Sequence, residues 1–201
     1  MKLDPSTFDK RHLHHYVTAA MIPRPIAFVS TVGTDGVNNC APFSFVSPLS
    51  SKPMIIGFTA ARLRDGHKKD TLVNIEATGE YVINVVTETM AQAMNQAAKN
   101  YPPQVDEFRE AGLTPLKSDL VKAPRIGESP VNLECRLMQI LEFGAGADSS
   151  SFIIGEVALI HVADDFFKDG HIEFQKFDAV GRLGGDSYCI VKDIFDMKRP
   201  D

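Results

Sequence analysis

Short β-rich runs separated by compact turns dominate this chain, and they do not alternate with helices. Ile26-Ala27-Phe28-Val29-Ser30-Thr31-Val32 is built of strand formers, and Gly33-Thr34-Asp35-Gly36 follows at once as a hairpin turn. Residues 53–59 form a short apolar run suited to a buried strand, and residues 80–86 return to the same character. Two longer runs, 131–143 and 151–162, flank the small polar loop 144–150 and predict an antiparallel hairpin. Helices are expected over 70–78, with Asp70 or Thr71 as cap and Gly79 as stop, over 88–99, and briefly over 106–111. Tyr101-Pro102-Pro103 ends the second of these. Many strands with so few short helices imply a mainly β fold, an antiparallel barrel with helical insertions. No G-x-G-x-x-G follows a strand, so a nicotinamide nucleotide would not be held in the Rossmann manner.

The 201 residues fit a single domain spanning 1–201, with a core over about 20–190, a polar N-terminal segment and a polar tail. Residues 112–130 make a long, Pro-rich connection, which in a compact domain points to a functional or interfacial role. The net charge of −5 argues against nucleic acid as the main partner. No apolar run approaches the roughly 20 residues a membrane helix needs. Residues 1–10 lack the apolar centre of a signal peptide. Cys40, Cys135 and Cys189 are scattered and form no C-x-x-C pair, which disfavours a disulfide framework or a zinc site. His12 and His15 can share a helix face, but nothing nearby completes a ligand set. The expectation is a cytoplasmic protein without metal, membrane or nucleic-acid partners.

Two stretches can carry a ligand. Arg62, Arg64, His67, Lys68 and Lys69 cluster ahead of the helix expected from Asp70. Its free N–H groups and dipole favour a phosphate, and Thr71 adds a hydroxyl. Asp70 competes for those N–H groups. The same run also reads as a solvated charged loop. In residues 39–51, Ser44, Ser47, Ser50 and Ser51 alternate with Pro42, Phe43, Phe45, Pro48 and Leu49. This pattern suits a planar heterocycle with polar edges, or an ordinary turn-rich connection.

Pro23-Arg24-Pro25-Ile26-Ala27-Phe28-Val29-Ser30-Thr31 resembles the opening strand of the flavin reductase-like family. Lys69-Asp70-Thr71-Leu72-Val73-Asn74-Ile75, Val105-Asp106-Glu107-Phe108, Pro130-Val131-Asn132-Leu133-Glu134-Cys135 and Gly181-Arg182-Leu183-Gly184-Gly185 are also similar to it. The likeness runs collinearly over residues 20–190, and is nearest the flavoredoxin and nitrilotriacetate monooxygenase component B-like branch.

The resemblance implies an FMN-binding split β-barrel, with the flavin at the interface of a homodimer. Ser30, Thr31, Lys69, Asp70 and Thr71 would hold the ribityl phosphate. Ala41, Pro42, Phe43, Ser44, Ser47, Pro48 and Ser50 would contact the ring edge, with Arg24 adding charge beside it. His161 and Arg182 would line the mouth where a nicotinamide or protein partner approaches. His161 equally reads as a satisfied strand histidine, and the Arg182 turn as a plain connection. Because the cofactor carries the chemistry, no acid–base dyad is required. The implied activity is NAD(P)H-dependent flavin reduction, supplying reduced FMN or electrons to a monooxygenase or other redox partner. An FMN-bound electron carrier without a nicotinamide site is the alternative, and a flavin-binding protein of regulatory or storage role a third.

Overall fold

The computed structural model describes residues 1–200. Seven strands form one antiparallel sheet: β1 (Ala27–Val32), β2 (Asn38–Phe43), β3 (Val46–Ser51), β4 (Met54–Ala61), β5 (Glu80–Val85), β8 (Val131–Phe143) and β9 (Ser150–Val162). Their spatial order is β2-β1-β5-β8-β9-β4-β3. The two outer strands, β2 and β3, are therefore neighbours in sequence, separated by Ser44 and Phe45. The sheet curls around one core but no ladder joins β2 to β3, which leaves the barrel split there.

Alternation along β1 explains why the sheet is covered on both faces. Ala27 and Val29 point into the barrel core with Phe43, Phe58, Leu72, Ile75 and Tyr81. Phe28 points the other way, into a second core with Cys40, Met90, Met94, Phe108 and Ile126. The first core is plugged by α2 (Asp70–Thr78), whose Leu72 and Ile75 lie three residues apart on one face. The second is roofed by α3 (Ala91–Ala97) and α4 (Glu107–Ala111), and Met90 and Met94 pack within it.

α1 (Lys10–Ala20) lies ahead of the barrel, capped by Asp9, whose carboxylate accepts from the His12 N–H. After β9, short strands β10 (Phe167–Lys168) and β11 (His171–Ile172) pair with each other, and β12 (Val180–Arg182) and β13 (Tyr188–Ile190) form a hairpin that meets the start of the chain. Arg24 and Arg182 exchange two backbone hydrogen bonds there, of 2.9 and 2.8 Å.

The connection 112–130 is not free. Short strands β6 (Pro115–Leu116) and β7 (Arg125–Ile126) pair within it. The N–H groups of Asp119, Leu120 and Val121 donate to Glu134, that of Ile126 to Asn84 Oδ1, and Ser30 Oγ donates to the Pro124 carbonyl. The segment is thus tied to its own sheet and needs no partner subunit to hold it. Its prolines read as a loose loop because these partners lie in distant strands. No helix among the described residues is long and apolar enough to cross a membrane.

Candidate functional site

Two concavities open side by side between β2, α1, α2 and α3. The smaller is a recess of about 70 Å³ lined by Asn39, Ala41, Lys69, Asp70, Thr71, Lys99 and Glu107, among others. The larger is a cleft of about 400 Å³ running beneath α1, walled by Arg24, Phe43, Ser44, Met94, Arg182 and Tyr188. Pro42 and Ala98 line both and so form the shared wall.

The recess is built on the start of α2. Lys69 is its N-cap and makes no side-chain cap bond, so the first N–H groups of the helix keep no side-chain acceptor. Neither Asp70 nor Thr71 caps it, contrary to the reading from sequence. Asp70 is half-buried in the first turn, and burial pushes its carboxyl up, with the Lys69 charge opposing. Thr71 is buried and donates its hydroxyl to Asn39 Oδ1 at 2.8 Å. Behind it, Glu107 Oε2 accepts from Asn39 Nδ2 and from the Cys40 N–H, both at 2.6 Å. Burial raises the Glu107 carboxyl to about 7, outweighing the Cys40 N–H that favours its charge, and the Asp70 charge raises it further. The same burial pushes the Cys40 thiol up, as befits an inert core thiol.

The cleft is held together by Arg24, which is only 8% exposed. Its guanidinium donates to the carbonyls of Thr18 (2.5 Å), Met21 (3.0 Å) and Leu183 (2.9 Å), and to Ser44 Oγ (3.3 Å). One side chain thereby staples the end of α1, the β12–β13 turn and the β2–β3 junction. Arg182 lies over the Tyr188 ring, 4.2 Å from its centroid, and donates to the Gly185 carbonyl. Gly185 has φ +59, a left-handed conformation that suits glycine in this turn.

Of the residues singled out from sequence, the structure gathers Arg24, Ala41, Pro42, Phe43, Ser44, Lys69, Asp70, Thr71 and Arg182 around these two spaces. It leaves six outside. Ser30 and Thr31 are fully buried, their hydroxyls committed to Pro124, Asn84, Asn39 and Asn74. Ser47, Pro48 and Ser50 lie on the edge strand β3, not in a loop continuous with Phe43, and line neither cavity. Their mix of serine and proline is that of an exposed sheet edge.

His161 is the sixth. Its Nε2 lies 2.6 Å from Glu134 Oε1. Asp119, Glu134 and His161 place ligand atoms within 4.8 Å of one another. Both Glu134 oxygens are already occupied, Oε1 by the Asp119 N–H and His161, Oε2 by the Leu120 and Val121 N–H groups. The group is therefore a clamp on the 112–130 segment.

Sequence reasoning missed Glu107 and Lys99 in the recess and Arg11, His14, His15 and Tyr188 in the cleft. Glu107 carried a usable signal, since an acid inside the Val105-Asp106-Glu107-Phe108 motif precedes a buried phenylalanine. The α1 residues carried none, because their place over β2 is decided by Arg24.

The profile described as "Flavin reductase like domain" matches residues 19–176, so the chain belongs to that family. An uncharacterized protein of Halalkalibacterium halodurans is 38% identical over 202 residues, covering all of this chain and 97% of that one. Nitrilotriacetate monooxygenase component B from Bacillus cereus superposes with a TM-score of 0.93 at 30% identity, over 98% of each chain. Flavoredoxin of Desulfovibrio vulgaris (Miyazaki F) shares the fold at a TM-score of 0.76 and 23% identity, over 88% of this chain and 91% of that one. The fold is the split barrel of flavin reductase-like proteins, and membership of the family gives the chain a flavin-related redox function.

Proposed function

We propose that this protein is a flavin reductase that binds FMN, takes reducing equivalents from NAD(P)H and delivers reduced FMN or electrons to a monooxygenase or other redox partner in the cytoplasm. The observation that carries this reading is the pairing of cavities. A polar recess of phosphate dimensions, at a helix start without a side-chain cap, adjoins a larger, partly apolar cleft across the wall formed by Pro42 and Ala98.

The residues fit the group. Lys69, Lys99 and the first N–H groups of α2 would meet a single phosphate. Asp70 and Glu107 share the recess; burial raises both carboxyls, and Glu107, raised to about 7, opposes an anion less near neutral pH. At about 70 Å³ the recess suits a monophosphate better than the nucleotide extension of FAD. The wall Pro42-Phe43-Ser44 offers backbone polar groups beside apolar surface to a flat ring. Bound flavin supplies the hydride chemistry, and the protein supplies position, hydrogen bonds and exclusion of water.

We also assign the working form as a homodimer. Leu49 on the edge strand β3, Met54 on β4, and Met138 and Phe143 on β8 are 42–54% exposed, large apolar side chains that a second copy of the chain would cover. Light scattering that gives a monomer at micromolar concentration with FMN bound removes this assignment.

The test of the activity is oxidation of NADH and NADPH by the purified protein with added FMN, beside a fluorescence titration of FMN binding. Tight FMN binding with steady nicotinamide oxidation is expected. FMN binding without oxidation would make the protein an electron carrier. No FMN binding would overturn the reading of the recess.

A further inference from the structure

We propose that the cleft beneath α1 is the binding site of an anionic second substrate, and that its outer rim selects the 2′-phosphate of NADPH over the 2′-hydroxyl of NADH. This rests on the reductase reading above and names the substrate class for it.

The cleft holds positive charge without a counter-charge. Arg24 is buried, yet every one of its hydrogen bonds goes to a neutral oxygen. Arg182 lies beside it, one backbone bridge away, and donates to a carbonyl while stacking on Tyr188. Among the described residues, no ion pair includes Arg11, Arg24 or Arg182. Buried charges are ordinarily paired, because an unpaired one keeps its desolvation cost. Burial, and then the Arg182 charge, push the Arg24 guanidinium down, which reports the same missing partner. No Asp or Glu lines the cleft, whereas two line the neighbouring recess. In a chain of net charge −5, this concavity is positive because residues of one sign have been collected there.

One face of α1 gives the cleft a direction. Arg11, His14, His15 and Thr18 follow the i, i+3, i+4, i+7 spacing of one helix face, and all four line the cleft. Seven residues of helix span about 10 Å. Thr18, at the inner end, is fixed by Arg24, while Arg11, His14 and His15 are exposed at the outer end. His14 stacks on Phe45 at an interplanar angle of 18°, which sets that imidazole at the rim. With the flavin ring on Pro42-Phe43-Ser44, a dinucleotide whose reactive ring stacks on that flavin meets Arg24 and Arg182 with the pyrophosphate that NADH and NADPH share. Its adenosine end then lies along the α1 face. There only NADPH carries a further phosphate, and Arg11 with the two imidazoles supplies charge and N–H donors to it.

The test uses the FMN-saturated protein and two probes, adenosine 2′,5′-bisphosphate and AMP, by calorimetry. The bisphosphate should bind about tenfold tighter or better, with the preference falling as salt rises. The double variant Arg11→Ala/His15→Ala, at two exposed positions, should erase that preference and lower the NADPH-to-NADH ratio of kcat/KM by about tenfold. Arg182→Ala should raise KM for both nucleotides. Equal binding of the two probes, or an unchanged ratio in the double variant, overturns the proposal. So does a loss of FMN affinity alone, which would assign these charges to the flavin. If neither nucleotide reduces FMN but the bisphosphate is still preferred in an Arg11- and His15-dependent way, the reductase reading fails and the anion site stands. If both nucleotides serve equally before and after substitution, the anion site fails and the reductase reading stands.

Discussion

Glu134 on β8 and Glu107 on α4 are both buried carboxyls, and their surroundings drive them in opposite directions. Burial alone would push Glu134 up, but the N–H of Asp119, the His161 side chain and the N–H of Leu120 together bring it below the usual carboxylate range. Glu107 has donors on one oxygen only, with Asp70 and Asp106 nearby, and rises to about 7. The first is a closed site, with every lone-pair direction spoken for and a loop pinned as the result. The second borders an open recess, where a carboxyl poised near neutrality tolerates an incoming anion. The number of donors that converge on a buried carboxylate therefore separates a structural clamp from the wall of a ligand site.

Breaking the clamp should give the largest effect. Glu134→Ala leaves three backbone N–H groups and an imidazole without their acceptor, and should cost about 3–5 kcal/mol of stability. Denaturant unfolding above pH 6 measures it. Because the Glu134 carboxyl is lowered on folding, its contribution is present above the ordinary carboxylate range and lost as pH falls through it. A loss below about 1 kcal/mol would mean the 112–130 segment is held by something other than this carboxylate.

Glu107 should show the opposite sign. Its carboxyl is raised on folding, so the charged form weakens the fold; the penalty is absent below about 4.5 and complete above about 7. Glu107→Gln keeps an acceptor for Asn39 and Cys40 and removes the charge. It should be about 2–3 kcal/mol more stable than the parent at pH 8 and nearly equal at pH 4. Equal stability at both values would place Glu107 with Glu134 and dissolve the contrast.

The smallest expected effect sharpens the ligand side of the comparison. Lys69→Ala should weaken FMN binding by about 1–3 kcal/mol, the range for one charge-assisted contact to phosphate. Riboflavin, which lacks the phosphate, should be nearly indifferent to the change. An unaltered FMN titration would leave the recess without its assigned ligand.

Much of this was legible in the chain. Residues 26–32, 53–59, 80–86, 131–143 and 151–162 announce strands because alternation and β-branched content act over a few neighbours. The helices 70–78, 88–99 and 106–111 are announced by spacing and stop signals; α2 and α4 appear close to that range, while 88–99 narrows to α3 after a short 3₁₀ turn. Lys69, Asp70 and Thr71 could be named as a helix start from sequence alone, and Pro42, Phe43 and Ser44, singled out together in sequence, do line one cleft. Gly33-Thr34-Asp35-Gly36 fixed the first hairpin, whose register pairs Ser30 with Cys40.

Tertiary structure decided the rest, for a common reason: hydrogen-bond partners far apart in sequence leave no local pattern. Ser30 and Thr31 look like free hydroxyls at a strand end until Pro124, Asn84 and Asn74 arrive from elsewhere to consume them. His161 reads from sequence equally as a residue of the mouth and as a satisfied strand histidine, and Glu134, 27 residues away, makes it the second. Ser47, Pro48 and Ser50 follow Ser44 closely along the chain, yet the switch from one outer strand to the other carries them off the cleft. Arg24 shows no sign in sequence of its four acceptors, the farthest of which is 159 residues away, nor of the helix it draws over β2. Composition and periodicity specify which elements form; closure of the split sheet specifies which of their polar atoms remain free for a ligand.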